Sequence, residues 1–196
     1  MTASDLLRAL GPVVDVLERL GVPYYVGGSL ASSTHGVARA SIDADVIADL
    51  GPEHVAPLAR ELASAFYLSE DRMRVAVEAR RSFNLIHLET MFKVDVFVAK
   101  GRPFDRQVFG RAREEALEDS PQARRFFVAS PEDTVLSKLE WFRAGGEVSE
   151  RQWADVVGVL KTGWGGLDRD YLARWASSIG VQDLLERAIL DAEPSI

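Results

Sequence analysis

The sequence predicts an α/β chain of the α+β kind: a small mixed β-sheet core with flanking helices over residues 1–129, then a C-terminal helical bundle over residues 130–196. Three observations predict it. Leucines and valines recur at helical spacing near the N-terminus. Several short segments between residues 24 and 98 alternate apolar and polar side chains. From Ser130 onward that alternation gives way to helix-start signals and stripes of 3.6-residue period.

Leu6, Leu7, Leu10, Val13, Val14, Leu17 and Leu20 make one face of an opening helix, with a break or kink expected at Gly11-Pro12 because proline removes an interior donor. Gly21 followed by Pro23 reads as its stop. Tyr24-Tyr25-Val26 reads as a short strand ending at Gly27-Gly28, with a short helix from Ser29. Residues 42–48 form a strand whose two aspartates share a face, and a helix follows over 52–65 with Pro52 at its start. Strands are expected at 73–78, 83–89 and 92–98, a helix around 107–118, and a short strand at Arg125–Val128.

Ser130-Pro131-Glu132-Asp133 carries a cap residue, proline at the first helical position and acids in the first turn. Val135, Leu136, Leu139 and Phe142 stripe that helix, and Gly145-Gly146 end it. Ser149-x-x-Gln152 opens another, striped by Trp153, Val156, Val157 and Leu160, and two more fit 168–178 and 181–190.

Composition narrows the chemistry. The 196 residues hold no cysteine, which removes thiolate catalysis, disulfides and Cys-ligated metals, and three scattered histidines do not make a His-rich metal site. No apolar run is long enough to span a membrane, and the N-terminus lacks a basic leader, so a cytoplasmic protein is expected. The net charge is −7, against the basic excess of a protein that grips nucleic acid through phosphates, and no DNA partner is expected. The Arg doublets 72/74, 80/81, 111/113 and 124/125 read mainly as solvated or salt-bridged surface. The four tryptophans read as packing residues rather than base-stacking platforms, and His35 and His87 as structural.

The informative stretch is Val26-Gly27-Gly28-Ser29, then Asp43-Ala44-Asp45, then Asp95 inside Lys93-Val94-Asp95-Val96-Phe97. Two glycines let backbone approach a phosphate, and a serine at a helix start offers a hydroxyl beside free N–H groups. Aspartates at i and i+2 of a strand point the same way and can share divalent cations. A third aspartate on a neighbouring strand completes a hard oxygen donor set suited to Mg²⁺ or Mn²⁺. Two such ions serve in-line phosphoryl displacement. Aspartates inside apolar strands are costly unless paired or metal-bound, which also favours a functional reading.

This pattern over residues 22–99 resembles the nucleotidyltransferase fold of the DNA polymerase β superfamily, with Gly28, Ser29, Asp43, Asp45 and Asp95 on its signature positions. A narrower resemblance is to the bacterial group containing the AbiEii-type toxins. Arg39, Lys138 and Arg151/Asp155 match its further motifs in order, with Ser41 where that group usually has threonine and Gly158 near the place of a second aspartate. The resemblance implies a metal-dependent enzyme moving a nucleoside monophosphate from a nucleoside triphosphate to a hydroxyl acceptor, with release of pyrophosphate. Asp43, Asp45 and Asp95 would be catalytic and metal-binding. Gly27, Gly28, Ser29, Arg39, Lys138 and Asp155 would bind the nucleotide. The acceptor stays open among tRNA, a protein and a small molecule, and a toxin–antitoxin setting implies a cognate antitoxin or toxin. The alternative is a non-catalytic or antitoxin-like interaction module that keeps the same fold.

Overall fold

A computed structural model of the chain describes residues 3–37, 41, 43–118, 120 and 122–193. The opening helix α1 (Ala3–Arg19) runs through Gly11-Pro12 as one continuous helix, so the expected break does not occur. Proline in a helix costs about 3 kcal/mol, but the buried Leu10, Val13, Val14 and Leu17 each return roughly 1.5–3 kcal/mol on burial, so the packed face wins. Gly21 stops the helix in the left-handed region (φ +66°), and the Val22 N–H reaches back to the Leu17 carbonyl.

The elements that follow are β1 (Tyr24–Val26), α2 (Gly28–His35), β2 (Asp43–Ala48), α3 (Pro52–Leu62), β3 (Phe66–Tyr67), α4 (Glu70–Glu78), β4 (Ser82–His87) and β5 (Lys93–Val98). Then come α5 (Pro103–Arg111), β6 (Arg113–Ala116) and β7 (Arg125–Val128). Helices α6 (Pro131–Ala144), α7 (Glu150–Gly163), α8 (Arg169–Ser178) and α9 (Gln182–Ala192) complete the chain, with a 3-10 turn at Trp164–Gly166. The strands form one mixed sheet in the order β3-β4-β5-β2-β1-β7-β6, with β2/β5 and β1/β7 parallel and the other pairs antiparallel. The fold is therefore the mixed sheet with flanking helices that the sequence predicts.

Two expected elements differ. Residues 73–78 are helical, because Ser69 caps the Arg72 N–H, Glu70 and Asp71 favour the helix start, and Met73, Ala76 and Val77 bury at i, i+3, i+4 while Val75 stays exposed. The helix expected at 107–118 begins at Pro103 and ends at Arg111, and residues 113–116 pair instead with β7 as an edge strand.

One face of β2 and β5 (Ala44, Val46, Ala48, Val94, Val96, Val98) is sealed from water, and α1 packs on both strands. The other face carries Asp43, Asp45, Ile47, Lys93, Asp95 and Phe97. Helices α6 and α7 pack against each other and against α2, which brings residues of the C-terminal part to the start of β2. A continuous hydrophobic cluster runs from Leu6 on α1 to Ala188 on α9.

Candidate functional site

The site begins where β1 turns into α2. The Gly27 N–H donates to the Asp45 carbonyl (2.9 Å), and the Gly27 carbonyl accepts from Ala31 in the first helical turn (3.2 Å). Gly28 has φ +56°, and a β-carbon there would fall 1.7 Å from Asp45 Oδ2. Glycine is thus required twice over, by its backbone region and by contact with the aspartate. Among the described residues no side chain caps α2, so its leading N–H groups are open to another acceptor beside Asp45.

Ser29 is buried and its Oγ lies 3.0 Å from Ser41 Oγ, which donates to the Asp43 carbonyl (2.8 Å). The two hydroxyls tie the start of α2 to the start of β2.

Parallel register sets Asp45 opposite Asp95 and Asp43 opposite Lys93, while antiparallel β4 places Asn84 opposite Asp95. Strands lie about 4.8 Å apart, so the carboxylates of β2 and β5 are forced into mutual range. Asp45 shows the result: burial first, then the charges of Asp43 and Asp95, push its pKa up to about 6, against the pull of Lys138 and Lys93. Among the described residues its carboxylate has no hydrogen bond or salt bridge.

Lys93 was not anticipated as a site residue. Its ammonium sits 2.7 Å from Asp95 Oδ2 and 3.7 Å from Asp43 Oδ2, and the bond to Asp95 raises its pKa. Its position two residues before Asp95 on an alternating strand was the available signal.

Lys138 and Asp155 come together as a buried ion pair, with Nζ 2.8 Å from Oδ2 and side chains only 10% and 8% exposed. On a helical wheel Asp155 falls opposite the apolar stripe of α7, a solvated position. The packing of α2 and α6 on α7 buries it instead. Gly158 belongs to that packing: Gly36, just after α2, lies so near α7 that a β-carbon there would fall 2.9 Å from the Val159 nitrogen. Arg151 is exposed, and Arg39 lies outside the described residues.

Further along the same sheet face, a cavity of about 370 Å³ has Tyr25, Ile47, Phe97 and Trp141 among its walls. Trp141 is 54% exposed and meets Phe97 edge-on, so it borders this cavity rather than lying in the core. Arg102 at the edge is held by Asp105 and Glu140. The other tryptophans pack against the core, and His35 and His87 are engaged with the Ala129 carbonyl and Thr90. All four Arg doublets hold ion-paired members: Arg74 with Glu70, Arg80 with Asp49, Arg111 with Glu132, and Arg124 with Asp15.

No protein-family model and no curated protein sequence matches the chain. Solved structures do. The antibiotic-resistance factor ANT(2'')-Ia in solution aligns over 95% of this chain and 99% of its own, with TM-score 0.58 and 11% identity. ANT(2'')-Ia in complex with adenylyl-2''-tobramycin aligns over 88% and 95%, with TM-score 0.55 and 11% identity. An antigenic nucleotidyltransferase-like protein from Paracoccidioides brasiliensis aligns over 98% and 95%, with TM-score 0.52 and 15% identity. Among the described residues no helix is long and apolar enough to cross a membrane. The glycine turn abutting Asp45, the aspartates in register across β2 and β5, and these alignments agree on one conclusion: the chain has the nucleotidyltransferase fold.

Proposed function

We propose that the protein is a metal-dependent nucleotidyltransferase that moves a nucleoside monophosphate from a nucleoside triphosphate to a hydroxyl acceptor. One observation carries the reading: Gly28 turns directly against Asp45, which is in register with Asp95, so a phosphate-binding helix start and a carboxylate cluster share one space. The uncapped N–H groups of α2 and the Ser29 hydroxyl would receive the β- and γ-phosphates. Lys138, steadied by Asp155, adds positive charge there. The aromatic cavity by Trp141 has the size and lining for the nucleoside.

The donor set fits Mg²⁺ or Mn²⁺: hard carboxylate oxygens, one of them destabilised by its own neighbours. Among the described residues no group of three or more acidic or histidine side chains is placed to hold a metal ion as it stands, and Lys93 bridges two of the candidates. Asp43, Asp45 and Asp95 would hold the metal, which would neutralise phosphate charge and polarise the attacking hydroxyl. The chain's part is to position the triphosphate, hold the acceptor and take its proton at Asp95.

The buried Lys138–Asp155 pair also supports the AbiEii-type reading, and with it a cognate antitoxin as partner. Toxicity on expression, relieved by a product encoded beside the gene, would bear that out. Survival without a partner at full expression would oppose it.

Calorimetric titration of the four nucleoside triphosphates with Mg²⁺ tests the main reading. Wild type is expected to bind at least one with micromolar affinity, and Asp43→Ala/Asp45→Ala to lose that binding. A folded wild type that binds none with Mg²⁺ or Mn²⁺ would instead favour the non-catalytic interaction module.

A further inference from the structure

A second cleft opens onto the cluster from the β4 side. It has a volume of about 260 Å³, and its walls include Tyr67, Ser69, Arg72, Ser82, Asn84 and Asp95. Asp95 is the only carboxylate of the site on this cleft, while the nucleoside-sized cavity by Trp141 does not include it. A transferase needs two substrates to meet at one phosphorus. The cavity by Trp141 follows the same sheet face past Ile47 and Phe97, has none of the three aspartates in its wall and shares Ser82 with this cleft, so of the two spaces this cleft is the one that touches Asp95.

The lining decides what fits. Among the described residues Asp95 is the cleft's only acidic side chain, and it is already bonded to Lys93. Among the same residues Arg72 is its only full positive charge. The Arg72 backbone N–H serves the Ser69 cap, but among the described residues its guanidinium has no acidic partner, unlike Arg74 with Glu70 or Arg80 with Asp49. A guanidinium fork matches a carboxylate or phosphate and repels an ammonium. The remaining polar groups, Ser69, Ser82, Asn84 and Tyr67, suit hydroxyls. The volume lies just under the usual range for small-molecule sites, about 300–1,000 Å³, which indicates a small ligand.

We propose that this cleft is the acceptor site, and that the acceptor is a small hydroxyl compound bearing a carboxylate or phosphate, gripped at its anionic end by Arg72. The proposal rests on the nucleotidyl-transfer reading and deepens it. The acceptor hydroxyl lies at Asp95. Its oxygen bonds to the α-phosphorus, the bond from that phosphorus to the bridging oxygen breaks, and the electron pair leaves on pyrophosphate. The hydroxyl proton passes to the Asp95 carboxylate and on to water. A polycationic acceptor such as an aminoglycoside meets the Arg72 guanidinium and, among the described residues, finds no second carboxylate in the cleft.

The test uses the whole protein with labelled nucleoside triphosphates, Mg²⁺ and four acceptor sets: sugar phosphates, hydroxy acids, the matching neutral sugars and alcohols, and tobramycin, with total cell RNA alongside. An anionic set is expected to be labelled, phosphates and hydroxy acids telling the two sources apart. The neutral counterpart is expected to show a KM at least tenfold higher. Arg72→Gln is expected to raise the acceptor KM 10–100-fold, leave kcat within about threefold, and leave nucleotide affinity unchanged, with Arg72→Lys intermediate. Labelling only of tobramycin, only of RNA, only of neutral compounds or of nothing in the panel would overturn the proposal, as would an Arg72→Gln enzyme with unchanged acceptor KM. Failure of the wild type to bind any Mg²⁺–nucleotide would strike the nucleotidyl-transfer reading itself, and calorimetry without acceptor separates that outcome.

Discussion

Asp133 and Asp45 are both carboxylates withdrawn into the fold, and their surroundings differ in one respect. Asp133, on the first turn of α6, is fully buried and has its lone pairs filled: the Ser130 hydroxyl donates at 2.7 Å, the Tyr171 hydroxyl at 2.6 Å, and Arg111 Nε stands 3.4 Å away. Its neighbour Glu132 accepts from Arg111 (2.8 Å) and from the Asp168 N–H (3.0 Å). The cluster fastens α5 and α8 to α6. Asp45 sits among other acids, and its burial, together with the charges of Asp43 and Asp95, disfavours its ionised form more than Lys138 and Lys93 favour it. Buried polar groups are normally satisfied, and the ones left unsatisfied mark where a ligand belongs. By that measure, among the described residues, the Asp133 cluster is built for holding the fold together, while the Asp45 cluster is the one the proposed function assigns to a ligand.

Three substitutions sharpen the contrast. Asp95→Asn is expected to reduce nucleotidyl transfer by about 10³-fold or more, equivalent to about 4 kcal/mol of transition-state stabilisation, with an unchanged circular dichroism spectrum. Asp133→Ala is expected to do the reverse: about 3 kcal/mol of stability lost, roughly 6–12 °C in Tm, because Tyr171, Ser130 and Arg111 lose a shared partner. Urea denaturation measures it. A variant as stable as wild type would show that the cluster does not fasten the helices.

The third and smallest effect concerns pH. The Asp45 pKa stands near 6 in the fold, against roughly 4 in an unfolded chain. Above pH 6 the group is ionised in both states and the native state bears the full cost of burying that charge beside Asp43 and Asp95. As pH falls from 6 toward 4 the native state takes up its proton first, so this group's penalty disappears. Its full size is on the order of 2–3 kcal/mol. In chelator at pH 7.5, Asp45→Asn is therefore expected to raise Tm by a few degrees, and the gain is expected to vanish near pH 4. A variant less stable than wild type at pH 7.5 would mean that Asp45 is satisfied in solution.

What the sequence disclosed follows the same physics. Strands β2 and β5 were legible because one face is apolar and the other carries Asp43, Asp45 and Asp95, a pattern with a single reading. The start of α6 was legible because Ser130-Pro131 fixes it locally. Helix α4 was not, because Met73, Val75 and Val77 satisfy a strand period as well as Met73, Ala76 and Val77 satisfy a helix period; only packing leaves Val75 outside. Strand β6 escaped because an edge strand with mostly exposed side chains has no burial pattern to show. Glu132 and Asp133 looked like ordinary helix-start acids, since the arginine and tyrosine that bury them arrive from distant segments. Within the site, the glycine turn and the aspartates were readable from spacing. Lys93 and the burial of Asp155 needed the strand register and the helix packing.

The contact between Gly28 and Asp45 reaches beyond this one chain. With a β-carbon at 28 only 1.7 Å from the position 45 carboxylate, the two sites cannot vary independently. A lineage that acquires a side chain at the turn must first shorten or redirect the residue on the strand, and in doing so gives up an oxygen donor of the cluster. The pair is a genetic interlock: in a homologous sequence, glycine at the first position is expected to travel with aspartate at the second, and a side chain in place of the glycine is expected only where the strand carboxylate has already moved or gone.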